Sequence, residues 1–197
     1  ISDESSPVYS RPLISKYLTE ECTLDKMLYR SANFYAQNNI VFLPGKKVTH
    51  LEPGHRTAQL EDGEHIVWEK LLLSVGGSPI VPRVGGMKRK GVFTFTSLDG
   101  AETISKFLES GAKRAVVIGG GLIGISATEA LVKRGIEVKI IEMKERALNT
   151  ILDEQASSMA EETFKQAGVE IVTGHTVAKI SGNDAVEKVT LDNEEEI

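Results

Sequence analysis

The feature that most limits how this chain can fold is Gly119-Gly120-Gly121-Leu122-Ile123-Gly124. This GxGxxG run directly follows the apolar segment Ala115–Ile118 and opens the helix-patterned stretch Leu122–Arg134. In that setting each pattern glycine has a separate task. Gly119 permits a tight turn, Gly121 lets the backbone approach a pyrophosphate, and Gly124 lets the helix pack closely on the strand. The helix N-terminus adds unpaired N–H groups and partial positive charge for the phosphates. Gly120, Leu122 and Ile123 complete the expected cofactor-binding loop. Glu142 ends the next strand pattern, twenty-three residues after Gly119, where a carboxylate can accept hydrogen bonds from a ribose diol. The same charge disfavours a 2′-phosphate, so NAD is expected over NADP, with Lys144 and Arg146 working against that preference. A nucleoside-triphosphate loop is excluded because Ile125 stands where its lysine belongs.

Around this loop strand and helix patterns alternate. Ala115–Ile118, Glu137–Glu142 and Val169–Thr173 read as strands, and Leu122–Arg134 and Asp153–Ala167 as helices closed by Gly135 and Gly168. A βαβαβ unit with a parallel sheet is predicted, and with it an α/β fold. Ser97 is a predicted N-cap for a helix ending before Gly111, and Val177–Ile180 with Val186–Leu191 flank a turn and read as a hairpin.

The N-terminal part has a different rhythm. Ser15–Glu20 reads as a short helix, and Ser31 is expected to cap a second one running through Asn39. Ile40–Leu43, Lys47–Leu51, Arg56–Glu61 and His65–Glu69 are short segments separated by Pro44-Gly45, Pro53-Gly54 and Asp62-Gly63, the punctuation of an antiparallel meander. Leu71-Leu72-Leu73 is predicted as a strand buried on both faces. Glycines and prolines then crowd residues 76–86, which places an inter-domain linker at 81–90, between a first domain at 1–80 and a second at 91–197.

Charge agrees with that division. Residues 1–98 carry twelve basic and ten acidic side chains, residues 99–197 eleven and eighteen, for a net charge of −5 over the chain. Nucleic acid is not an expected partner, because binding its phosphates requires a concentrated positive surface. The single cysteine, Cys22, excludes an internal disulfide and a zinc ribbon, no metal site is expected, and a reducing cytoplasm suits this composition. The longest nearly apolar stretch, Ala115–Ala127, is too short to span a bilayer, so no membrane association is expected. Ile1 is not an initiator methionine and the chain stops just after a strand-like run, so a fragment is expected.

Four segments in order give a resemblance that spans nearly the whole chain. These are Tyr9-Ser10-Arg11-Pro12-Leu13-Ile14-Ser15-Lys16, the meander closed by Leu71-Leu72-Leu73-Ser74-Val75-Gly76-Gly77, the stretch from Gly91-Val92-Phe93 through Ala101, and Gly119–Glu142. Together they resemble the FAD-dependent pyridine nucleotide-disulfide oxidoreductases, in particular the branch of NADH oxidases, rubredoxin and ferredoxin reductases and nitrite reductase flavin subunits. The resemblance implies a Rossmann-like FAD- and NAD-binding fold, with residues 1–80 a partial FAD-binding domain and 91–197 an NAD-binding domain.

It also implies that Arg11, Pro12, Lys16, Val48 and Gly76 hold FAD, with Lys16 the catalytic residue beside the flavin. NADH would be the donor, oxygen, rubredoxin or an iron–sulfur protein the acceptor, and the parent protein a homodimer. The alternative is a non-catalytic NAD(H)-binding sensor or assembly module. Members of the family place a second GxGxxG before the Tyr9 segment and a Gly-Asp flavin motif after the NAD domain, and neither occurs in these 197 residues.

Departures narrow the chemistry. Cys22 is out of register with the family's redox cysteine, which lies near Ser15 and Lys16, so disulfide reduction is disfavoured. Ser126 stands where many relatives carry a nicotinamide-side glutamate, with Glu129 the next carboxylate, and Val75 replaces a threonine of the turn. His50, His55, His65 and His175 show no spaced Ser/Asp partner in the sequence and are assigned no role.

Overall fold

In the computed structural model, which describes residues 1–197, the chain packs as two units. Ile1–Ser10 joins Leu24–Gly77 in one, and Arg11–Thr23 joins Ser78–Ile197 in the other. A 3-10 turn over Arg11–Leu13 runs into α1 (Ile14–Leu18). This helix buries Ile14 and Leu18, and Leu18 enters the apolar cluster that contains Ile104, Leu131, Val138 and Ile140. Arg134 then secures its end, donating to the Leu18 carbonyl at 3.1 Å and to Glu20 at 2.6 Å, while Lys133 meets Glu21 at 3.1 Å. The expected division at residue 80 follows chain position. Packing instead puts Arg11–Thr23 with the second unit, because that is where its apolar side chains are buried.

The first unit holds α2 (Leu24–Met27), α3 (Phe34–Gln37) and an antiparallel sheet of β1 (Val48–Glu52), β2 (Thr57–Leu60) and β3 (His65–Val67) in the order β1-β2-β3. Alternation along β2 buries Ala58 and Leu60 on one face, as a half-buried antiparallel strand requires. Three expectations fail here. Ser31 does not cap a helix to Asn39; α3 is a single turn entered through Asn33, and Asn39 leaves it in the left-handed region at φ 54°. Ile40–Leu43 and Leu71–Leu73 are not strands, and Leu72 is 85% exposed. A strand exists through its ladder partners, and no strand of the chain pairs with either run.

In the second unit the predicted alternation is found. Ser97 Oγ accepts the Gly100 N–H at 3.1 Å and caps α4 (Leu98–Glu109). There follow β4 (Arg114–Ile118), α5 (Leu122–Lys133), β5 (Glu137–Glu142), α6 (Glu154–Gln166) and β6 (Glu170–Thr173). The three strands are parallel in the order β4-β5-β6, with Val117 level with Ile140 and Ile140 level with Ile171. Central β5 is buried on both faces: Val138 and Ile140 pack in one cluster with Leu131, and Ile141 in another with Val177 and Leu191. Gly135 (φ 75°) and Gly168 (φ 83°) take the left-handed positions that end α5 and α6.

β7 (Val177–Ser181) and β8 (Lys188–Leu191) pair as the expected antiparallel hairpin. The segment Gly85–Lys90 lies along it, Ile180 donating to the Gly85 carbonyl at 2.8 Å and Val186 to the Lys90 carbonyl at 2.9 Å. No helix is long and apolar enough to cross a membrane.

Candidate dinucleotide-binding site

The glycine loop crosses from β4 to α5 at the carboxyl edge of the parallel sheet, where ligands of such sheets bind. Gly119 extends the ladder through its N–H to the Ile141 carbonyl (2.8 Å), then turns at φ 101°, a conformation that favours glycine. Gly124 is needed for closeness: a Cβ there would lie 1.9 Å from the Gly119 carbonyl oxygen. Gly121 is the residue before α5 and is open, with nothing within 4 Å of where a Cβ would stand. The first amides of α5 lack intrahelical acceptors, an arrangement that can receive an anion.

Glu142 ends β5 and turns its carboxylate to the loop. Oε2 accepts the Gly120 N–H at 2.6 Å and Oε1 accepts the Lys144 N–H at 2.8 Å. Both bonds are charge-assisted and fix the carboxylate, while each oxygen keeps a further lone pair for a hydroxyl donor. Ile118, Leu122, Ile123 and Met143 surround this edge with their apolar side chains exposed. An open glycine backbone, an oriented carboxylate and an apolar rim fit a dinucleotide. Gly119, Gly120, Gly121, Gly124 and Glu142 are thus brought together as one loop and its acidic partner, with Leu122 and Ile123 on its rim.

The residues expected on the flavin side fall in both units. In the second, the Arg11 guanidinium donates to the Thr96 carbonyl at 2.6 Å, and Pro12 and Lys16 are exposed on the same short stretch. An exposed lysine two residues from a buried helix face is chemically suited to an anionic group such as a flavin phosphate. In the first unit Val48 opens β1 at an irregular step in the strand register, and Gly76 takes φ 65° with nothing within 4 Å of a Cβ.

Ser126 is partly buried within α5, whereas Glu129 is exposed and engaged with Lys133 at 3.0 Å, one turn along. Cys22 is half-buried, with its thiol 3.5 Å from the Thr23 carbonyl. His175 does have an acidic partner: Nδ1 lies 2.9 Å from Asp192 Oδ1, across a separation of seventeen residues that no local pattern reveals. His55 lies 3.1 Å from Glu52 in the β1–β2 turn. Sequence reasoning also missed Ala147, Leu148 and Glu161: the Leu148 N–H donates to the Gly120 carbonyl at 2.8 Å, and the Glu161 carboxylate accepts the Ala147 N–H at 2.7 Å. Glu161 sits in an acid-rich helix where nothing local distinguishes it.

The fold and the site define a Rossmann-like dinucleotide-binding protein. Over residues 1–197 the sequence matches the pyridine nucleotide-disulphide oxidoreductase family, and the chain belongs to that family. It is 34% identical over 185 residues to the NADH-dependent phenylglyoxylate dehydrogenase subunit epsilon of Aromatoleum evansii, an alignment covering 94% of this chain and 44% of that protein. It is 29% identical to the rubredoxin-NAD(+) reductase of Pseudomonas putida, covering 100% of this chain and 51% of the other. The crystal structure of a ferredoxin reductase from Rhodopseudomonas palustris superposes with a TM-score of 0.92 at 23% identity over 100% of this chain and 50% of its own, a likeness of fold. The chain therefore spans about half the length of these two curated relatives.

Proposed function

We propose that this chain carries the NADH site of an FAD-dependent NADH oxidoreductase that passes electrons on to oxygen, rubredoxin or an iron–sulfur protein. The observation that carries the reading is the Glu142 carboxylate, held at 2.6 Å from the Gly120 N–H at the mouth of α5. The names of the two curated relatives, an NADH-dependent dehydrogenase subunit and a rubredoxin reductase, support it. NADH supplies a hydride, and FAD accepts two electrons and releases them to an acceptor.

The protein's part is position and charge. Gly121 and the first amides of α5 bind the pyrophosphate, Gly124 keeps the helix close enough to aim them, and Glu142 orients the adenosine ribose. Arg11, Pro12, Lys16, Val48 and Gly76 are assigned to FAD on the family resemblance. Lys16 is assigned the catalytic place beside the flavin, as a cation that would favour an electron-rich ring.

Titration of the chain with NADH and NADPH, followed by nicotinamide fluorescence, tests the nucleotide site without flavin. NADH is expected to bind at least about tenfold tighter, a difference of about 1.4 kcal/mol, because a 2′-phosphate would meet the Glu142 charge. Glu142→Ala frees the Gly120 and Lys144 amides as well, so it weakens both nucleotides. The ratio between them is the sharper readout, and it should collapse toward one. Equal binding by the parent chain would reject Glu142 as the selector. Anaerobic NADH that leaves the flavin of the full-length holoenzyme unbleached would reject the oxidoreductase reading.

A further inference from the structure

The glycine loop is held from two sides, and only one of them is the ribose-binding carboxylate. The Gly120 N–H is taken by Glu142, and the Gly120 carbonyl accepts the Leu148 N–H at 2.8 Å. The two bonds fix the successive peptide planes on either side of Gly120, and the Gly121 N–H, which shares its plane with the Gly120 carbonyl, is directed with it. Leu148 reaches this position in the left-handed region at φ 55°, a conformation leucine adopts only where its surroundings impose it. What imposes it is adjacent. Ala147 is buried, a Cβ on Gly120 would lie 3.2 Å from the Ala147 methyl, and the Ala147 N–H donates to Glu161 Oε1 at 2.7 Å. Glu161 belongs to α6, so a helix on the far side of the β5–α6 connection reaches back to the loop that opens α5.

We propose that Glu161 is a positioning residue for the dinucleotide loop. Its carboxylate fixes the Ala147–Leu148 turn, and that turn fixes the Gly120 carbonyl and thereby the direction of the Gly121 and α5 amides. This rests on the nucleotide reading of the loop given above. The bond it makes is charge-assisted and partly buried, which makes it stronger than an exposed neutral one. A Cβ on Gly120 would stand 3.2 Å from the Ala147 methyl and 3.3 Å from the Glu142 carboxylate, so these neighbours would have to give by a few tenths of an ångström to admit one.

Two measurements on the parent chain, Glu161→Ala and Glu161→Gln separate this role from simple helix stability. Amide hydrogen exchange should quicken about tenfold or more at Ala147 and Leu148 in Glu161→Ala, with the amides within α6 unchanged, and return most of the way in Glu161→Gln, whose side-chain carbonyl still accepts. NADH titration should show affinity lowered roughly tenfold in Glu161→Ala and within about threefold of the parent in Glu161→Gln, with the NADH to NADPH ratio retained because Glu142 is intact. Unchanged protection at Ala147 and Leu148, or parent-like NADH affinity in Glu161→Ala, overturns the proposal. A parent chain that binds no NADH rejects the nucleotide reading, and the exchange data then decide by themselves whether Glu161 holds the loop.

Discussion

β5 and Leu71–Val75 are two apolar segments with opposite fates. Val138, Ile140 and Ile141 of β5 are buried on both faces, between parallel neighbours β4 and β6, with Leu131 of α5 in the cluster of Val138 and Ile140 and the β7–β8 hairpin against Ile141. Leu71, Leu72, Leu73 and Val75 are comparably apolar, yet all four are exposed and none lies in a strand. The difference is the supply of partners. A βαβαβ stretch brings its own neighbours within some sixty residues, whereas a lone run of leucines has only the capacity to join a sheet. Hydrophobicity sets what a segment can bury, and pairing decides whether it does.

The widest contrast this predicts is energetic. Ile140 is fully buried in the main cluster, so Ile140→Ala should cost about 2–5 kcal/mol, from lost transfer energy and the cavity left behind. Leu72→Ala removes a side chain that is 85% exposed and should stay within about 0.5 kcal/mol of the parent. Urea unfolding of both variants measures this through the shift in midpoint at constant slope. A Leu72→Ala cost approaching that of Ile140→Ala would mean that the leucine run is buried in the folded protein after all, and the comparison would break.

The same contrast governs what could be read from the sequence. The βαβαβ unit was legible because its boundaries are local chemistry: Ser97 and Asp153 cap α4 and α6 through their own side chains, and Gly135 and Gly168 close α5 and α6 in conformations glycine favours. Gly119, Gly124 and Glu142 were legible for a related reason, since the spacing of a strand, a tight turn and a helix fixes where they meet. Arg11–Thr23 could not be assigned to its unit in advance, because its place depends on Leu18 meeting Ile104 and Leu131 far along the chain. Glu161 was invisible because its partner is a backbone amide, which leaves no mark in sequence. The His175–Asp192 pair was hidden likewise by a hairpin that brings two separated residues together.

Glycines sharpen the comparison at a smaller scale. Gly124→Ala drives a methyl into the Gly119 carbonyl, a backbone atom that cannot swing aside, so α5 must shift from β4 at a cost of about 1–3 kcal/mol. Gly76→Ala meets no atom and has only its left-handed φ against it, worth about 1 kcal/mol. Gly121→Ala meets no atom and sits at φ −80°, an ordinary value for alanine, so stability should change by no more than about 1 kcal/mol while NADH binding falls, since the methyl occupies the phosphate approach. Thermal melts beside NADH titrations of the three variants check this. An unfolded Gly121→Ala, or one that binds NADH as the parent does, would contradict the assignment of open space to the ligand.

The smallest expected effect concerns the acid limb of stability, where each unit has one depressed carboxyl. In the first unit the side-chain hydrogen bond from Lys46 lowers the pKa of Asp62, and in the second the bond with His175 lowers that of Asp192. A carboxyl held below its unfolded value contributes stability that is present above that value, near 3.8, and is lost as pH falls through the lower folded value. Both residues are exposed to solvent, so salt screens both contributions and neither should be large. Their alkaline behaviour separates them. The Lys46 pKa is raised, first by its hydrogen bond to Asp62, so this pair's contribution is complete below 10.5 and fades only as pH climbs through the raised value. The Asp192 pair contains no lysine, so it takes no part in that alkaline loss. Carboxyl carbon shifts followed by NMR between pH 2 and 6 should place both aspartates below an unpaired one. Lys46→Met should release Asp62 alone and His175→Gln should release Asp192 alone. A common shift of both aspartates in either variant would show that the two carboxyls answer to something other than their own neighbours.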